Sequence, residues 1–180
     1  MADQLGRYFA DVPVTHLRTS PLERAQETMV PIVARHPEVP VVTDERLIEA
    51  GSRMQGQVKG PGSLWLAKPA NWRYFVSRDG WGEGFQPMAD RTTAAIVDAA
   101  ATVGPGGHAV LVSHQSPIWA ARRQAEGKFL LNIPIMRECA LASVTTFAVT
   151  PDGTVSFIQY DDLMRRLGRE VGANVGDGGN

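Results

Sequence analysis

Three side chains in this 180-residue chain are of types, and in places, that could handle a negatively charged substrate. The first is Arg24, in the stretch TSPLERAQET. Ser20 reads as a helix N-cap, Pro21 as the first helical residue, and Glu23 completes an S-x-x-E capping box. Those three residues need no function to explain them. Arg24 does, because a cation in a first turn faces the positive end of the helix dipole. A strand that ends where a helix begins makes an anion site, and a guanidinium adds a forked clamp to it. The plainer alternative is a solvated surface arginine.

The second is His114, at the end of the apolar run in VLVSHQSPIW. Ligands in open parallel sheets sit at the carboxyl ends of strands, so Arg24 and His114 are expected at one sheet edge. A structural histidine is the alternative. The third is Glu49, in DERLIEAG, just past a short strand. Alone it reads as a surface carboxylate; beside Arg24 and His114 it could act as a general acid.

The elements that must position these residues alternate. Helices are expected over 2–10, 21–36, 87–103 and 117–125, from apolar positions at helical spacing. Strands are expected over 14–20, 39–43 and the run before His114. LASVTTFAVTPDGTVSFIQY reads as a hairpin turning at Pro151-Asp152-Gly153, which would add antiparallel edge strands. The pattern is that of an α/β domain with a mostly parallel sheet. The opening helix, however, has no strand before it, although such a helix should be a crossover. A Trp- and Gly-rich segment, 61–85, is expected to cover the site. Residues 1–167 are read as one domain and 168–180 as a flexible tail.

Composition narrows the partners. The net charge of −1, from 18 basic and 19 acidic residues, argues against nucleic acid and against a polybasic membrane binder. No apolar run is long enough for a membrane span, and no export signal is visible. A single cysteine, Cys139, suits a reducing compartment, so the expected location is the cytoplasm. No metal-ligand spacing occurs, and neither a metal nor a cofactor is expected.

Taken together, the segments resemble the histidine phosphatase superfamily, the phosphoglycerate mutase-like proteins. SPLERAQET is similar to S-P-L-x-R-A-x-x-T, RLIEAG to L-x-E-x-x-G, VLVSHQ to V-V-S-H-G, and GEGFQPMADR to a G-E-S-…-R region. The resemblance runs from about residue 2 to residue 162. It implies a three-layer fold, a mostly parallel sheet with helices on both faces and a C-terminal antiparallel hairpin. It also implies a small phosphorylated substrate and phosphoryl transfer through a phosphohistidine, as a phosphatase or a mutase. Arg24 would clamp the phosphoryl group, with Ser20 and Gln115 as further substrate-binding positions. His114 would stabilise charge on the transferring group, and Glu49 would protonate the leaving oxygen.

The resemblance also exposes a gap. The superfamily carries its nucleophile in an Arg-His-Gly segment at the end of a first strand, and this sequence contains no such segment. His16, His36 and His108 read as surface or structural residues. The expectation is a chain inactive as written and incomplete at its N-terminus, with coding sequence before Met1 that supplies an apolar strand ending in Arg-His-Gly. The alternative is a non-catalytic module that binds phosphorylated ligands. A nucleotide-binding reading of GWGEGF is weak, because no clear strand precedes it and no G-x-x-x-x-G-K-[ST] occurs.

Overall fold

Apolar spacing decides the first contacts. In helix α1 (Ala2–Phe9), Leu5 is buried, with Tyr8 and Phe9 on the same side. The computed structural model describes residues 1–50, 83–128 and 138–168. Strand β1 (Val14–Thr19) follows, then helix α2 (Glu23–Val33), strand β2 (Val41–Thr43) and a 3₁₀ turn (Glu45–Leu47). Helix α3 (Phe85–Val103), strand β3 (His108–Val112) and helix α4 (Gln115–Ala125) come next. Strands β4 (Ser143–Val149) and β5 (Val155–Asp162) follow, and residues 163–168 are helical.

Helix α2 buries Ala25, Met29 and Ile32 against α1 and the sheet. Pro31 lies inside it, where the ring removes one helical hydrogen bond. Gly6 of α1 fits there: a Cβ at residue 6 would stand 2.5 Å from the Pro31 carbonyl oxygen, so no larger side chain is accommodated without a shift. A second apolar cluster joins Phe85, Met88 and Ala89 of α3 to Trp119 and Ala120 of α4. The two helix pairs form the outer layers of an α/β fold, on the two faces of the parallel sheet.

That sheet has the order β2-β1-β3, and both pairings are parallel. Leu17, fully buried, lies at its middle, level with Val41 on one side and Val110 on the other. Strands β4 and β5 form the expected antiparallel hairpin, and Gly153 at its turn takes a positive φ of 84°. Contrary to expectation, the hairpin does not extend the parallel sheet. It is a separate two-stranded sheet, because β3 and β4 do not pair and a cavity lies between them. Side chains fasten it instead. Tyr8 donates to Asp161 at 2.8 Å, and the Arg122 guanidinium of α4 stands 4.2 Å from the Phe157 ring centroid and 5.4 Å from that of Tyr160.

The start of α2 also differs from the sequence expectation. The helix begins at Glu23, with extended Leu22 as N-cap and no side-chain cap. The capping box of Ser20 and Glu23 does not form. The Ser20 hydroxyl reaches only the Leu22 N–H, at 3.4 Å, because its closer partner is His114. The Trp- and Gly-rich segment through residue 82 and the tail from residue 169 lie outside the described residues. No helix among the described residues is long and apolar enough to cross a membrane.

A buried carboxylate ties β2 to β1 and α3. Asp44, 8% exposed, caps the 3₁₀ turn through the Arg46 N–H at 3.0 Å, and accepts from Arg18 at 2.9 Å and from the Arg46 side chain at 2.8 Å. Arg46 reaches on to Asp98 of α3 at 2.6 Å. The Arg46 hydrogen bonds, helped by Arg18 and opposed by burial, lower the Asp44 carboxyl from 3.8 to about 2. A depressed carboxylate stabilises the fold fully above its unfolded value and loses that contribution as pH falls through its folded one. Asp44→Asn is therefore expected to cost roughly 2 kcal/mol at pH 7. In denaturant titrations the difference from the parent chain should shrink below about pH 4 and vanish near pH 2. A difference that stays constant from pH 6 to pH 2 would refute this assignment.

Candidate active site

Strand pairing builds the site. Thr19, the last residue of β1, is level with Val112, the last of β3, and the Ser20 N–H donates to the Val112 carbonyl at 2.9 Å. Both chains therefore leave the sheet side by side, one into α2 and one into α4. His114 is the extended N-cap of α4 and is 7% exposed. Its Nε2 is 2.8 Å from the Ser20 hydroxyl, and its Nδ1 accepts from the Arg24 Nε at 3.2 Å. Arg24 Nε is always protonated, so Nδ1 is the lone-pair nitrogen, and the proton of the neutral ring sits on Nε2, facing Ser20. Burial, and then the charge of Arg24, lower the His114 pKa below 6.5; Glu49 acts in the opposite direction.

Arg24, Glu49, His114 and Gln115 line one cavity. Arg24 is exposed, and among the described residues no carboxylate lies within ion-pair distance of it. Arg18, Arg46, Arg91 and Arg122 are all paired. Ser20 lies beneath this surface, fully buried, with its hydroxyl committed to His114. The Gln115 side chain turns toward the Cys139 carbonyl, while its backbone N–H is one of the first-turn donors that have no partner within α4. A neutral histidine, a guanidinium without a carboxylate partner among the described residues and two helix N-termini thus converge on one rim, an arrangement that favours an oxyanion.

Glu49 reaches the rim by a different route. Two consecutive carbonyls just before it are held: Leu47 O accepts from Ser113 Oγ at 2.7 Å, and Arg46 O accepts from Arg91 Nη1. Arg91 is itself gripped by both carboxylate oxygens of Glu83, at 2.7 Å each. Glu49 is half-buried, and its Oε1 accepts from the Ala50 N–H at 3.0 Å. Ser113 and Arg91 are not distinguished by spacing or composition. The only signal for them is adjacency to His114 and the two charged ends of GEGFQPMADR, which meet as the Glu83–Arg91 pair.

The other histidines lie elsewhere. His16, in mid-strand, accepts from Arg18 at 2.8 Å. His36 pairs with the Phe9 carbonyl at 2.9 Å. His108 opens β3, at the edge opposite His114. Among the described residues, no group of three or more His, Cys, Asp or Glu is placed to hold a metal ion.

Known proteins share this fold. The family model "Histidine phosphatase superfamily (branch 1)" matches residues 1–160. Uncharacterized protein Rv0525 of Mycobacterium tuberculosis is 40% identical over 151 residues, covering 83% of this chain and 74% of that protein. Among solved structures, the mycobacterial glucosyl-3-phosphoglycerate phosphatase Rv2419c with inorganic phosphate superposes with a TM-score of 0.68 at 21% identity, covering 89% of this chain and 81% of the other. Phosphoserine phosphatase from Entamoeba histolytica, in complex with phosphoserine, gives 0.68 at 17% identity, covering 89% and 80%. Phosphoglycerate mutase from Bacillus anthracis gives 0.59 at 17% identity, covering 88% and 77%. The match across residues 1–160, over a site where the ends of two parallel strands bring an arginine onto a histidine, assigns this chain to the histidine phosphatase superfamily.

Proposed function

We propose that the rim formed by Arg24, His114 and the first turn of α4 binds the phosphoryl group of a small phosphomonoester. The observation that carries this reading is the 3.2 Å contact between Arg24, which lacks a carboxylate partner among the described residues, and a buried neutral His114. Phosphoryl transfer depends mainly on positioning and on stabilising spread negative charge, which these groups supply. Arg24 is the clamp, and Ser20 holds His114 from beneath. His114 donates to the phosphoryl oxygens once the bound anion has raised its pKa. Glu49, on the same cavity, would be the proton donor to the leaving oxygen in a transfer through a phosphohistidine, were a nucleophile supplied.

The attacking histidine of such a transfer has no counterpart at this rim, since His16, His36 and His108 are engaged or placed elsewhere. The reading is therefore of a phospho-ligand site that the 180-residue chain fills without turnover. The near-neutral charge and the single buried cysteine support a cytoplasmic setting.

Three measurements test this. Calorimetry with vanadate should show Arg24→Ala weakening binding by roughly 1.5–3 kcal/mol, the scale of a hydrogen bond to a charged group; unchanged affinity places the anion elsewhere. Sulfate, a dianion across the whole range, should bind more tightly as pH falls from 8 toward 5.5, because binding charges a histidine that is neutral when the site is free. His114→Ala should remove that dependence, and a profile that persists in this variant assigns the proton to another group. Finally, the chain should hydrolyse p-nitrophenyl phosphate no faster than His114→Ala; turnover that requires His114 would make it the nucleophile and leave only the anion site standing.

A further inference from the structure

Glu49 lies just past the 3₁₀ turn, in chain that is neither helix nor strand. A carboxylate so placed ordinarily moves with its loop. Here the turn is fastened from three elements. Asp44, its cap, accepts from Arg18 of β1 at 2.9 Å. Arg46 is held twice by α3, its side chain on Asp98 at 2.6 Å and its carbonyl by Arg91. Leu47, fully buried, gives its carbonyl to the Ser113 hydroxyl at 2.7 Å.

The third hold differs from the others in where it comes from. Ser113 stands between Val112, the last residue of β3, and His114. The hydroxyl that grips the turn is thus one residue from the imidazole, and the carbonyl it grips is two residues from Glu49. Both charged side chains are placed from a single hydrogen bond. Arg91 shares the hold through the neighbouring carbonyl, but its own charge also acts on His114. Ser113 is neutral, so its part is purely one of placement.

We infer that Ser113 is a positioning residue, whose hydroxyl on the Leu47 carbonyl fixes the Glu49 carboxylate relative to the His114 ring so that both address one ligand. A proton donor serves only within hydrogen-bond reach of the oxygen it protonates. A misplacement of about 1 Å can cost on the order of a hundredfold in rate. A fixed seat is what separates such a donor from a surface carboxylate. The inference rests on the reading of Glu49 given above. Its test uses no anion, so failure of the anion site and failure of this hold are read separately.

The imidazole itself reports where the carboxylate stands. Burial and the charge of Arg24 lower the His114 pKa, Glu49 raises it, and Arg91 lowers it. NMR titration of the four histidine rings in the full chain, with His114 assigned through His114→Ala, follows that balance. Glu49→Gln should lower the His114 midpoint. Ser113→Ala should shift it the same way by a smaller amount, and should shift it no further once Glu49→Gln is present, because no carboxylate is left to misplace. Ser113→Thr keeps the hydroxyl and should titrate like the parent chain. Ser113→Cys, a weak donor, should fall between and serves in place of the alanine variant if that one does not fold. A merely structural loss would move His16 and His36 as well, or His114 equally in both backgrounds. The proposal is overturned by either of those results, by a midpoint that Ser113→Ala leaves alone or raises, or by one that Glu49→Gln does not lower.

Discussion

The parallel pairing of β1 on β3 is the constraint on which the rest depends. Its register sets Leu17 against Val110 in the core and ends with Thr19 beside Val112. Because the strands are parallel, both carboxyl ends fall at one edge, and each opens directly into a helix. That places Arg24 in the first turn of α2 and His114 at the cap of α4 within one hydrogen bond of each other, although 90 residues separate them. A shift of one residue in this register would exchange the buried and exposed faces of the strand and carry Ser20 away from His114.

The same edge shows how the chain divides its arginines. Arg18 and Arg46 converge on Asp44, Arg91 on Glu83, and Arg122 on Glu126, Glu138 and three aromatic rings. These pairs are scaffolding, and their charge is neutralised where it stands. Arg24 is the contrast: its Nε holds the histidine while its charge faces the cavity. A cation that has no carboxylate partner among the described residues and stands beside helix N-termini creates a local positive potential, which an anion would relieve. Burial first, and then the charge of Arg24, keep the His114 pKa low, since a second positive charge in this place is unfavourable.

The broken sheet belongs to the same architecture. Side-chain anchors from α1 and α4 fix the hairpin, so it keeps its place without backbone pairing to β3. The opening helix packs on α2 beside the cavity that separates β3 from β4.

Much of this was legible in the residues themselves. Apolar periodicity located the helices, β-branched runs the strands, and the order of elements the α/β class, because these signals are local. The segments around Arg24, Glu49 and His114 pointed to one chemistry before any coordinates. The role of Ser20 was not legible. Its sequence context specifies a cap, yet its hydroxyl turns to a histidine 94 residues away, because a buried imidazole N–H must find an acceptor and the β1–β3 register brings this one within 2.8 Å. The start of α2 moved two residues for the same reason. The holds of Ser113 and Arg91 on the carbonyls ahead of Glu49 were equally hidden, since nothing local marks a side chain whose partner is a distant backbone oxygen. Sequence alone determined which groups exist and which elements carry them. Tertiary structure decided which of those groups meet, because the protonated nitrogen of His114, the seat of Arg24 beside its other nitrogen and the separation of the two sheets all arise from contacts between segments far apart in the chain.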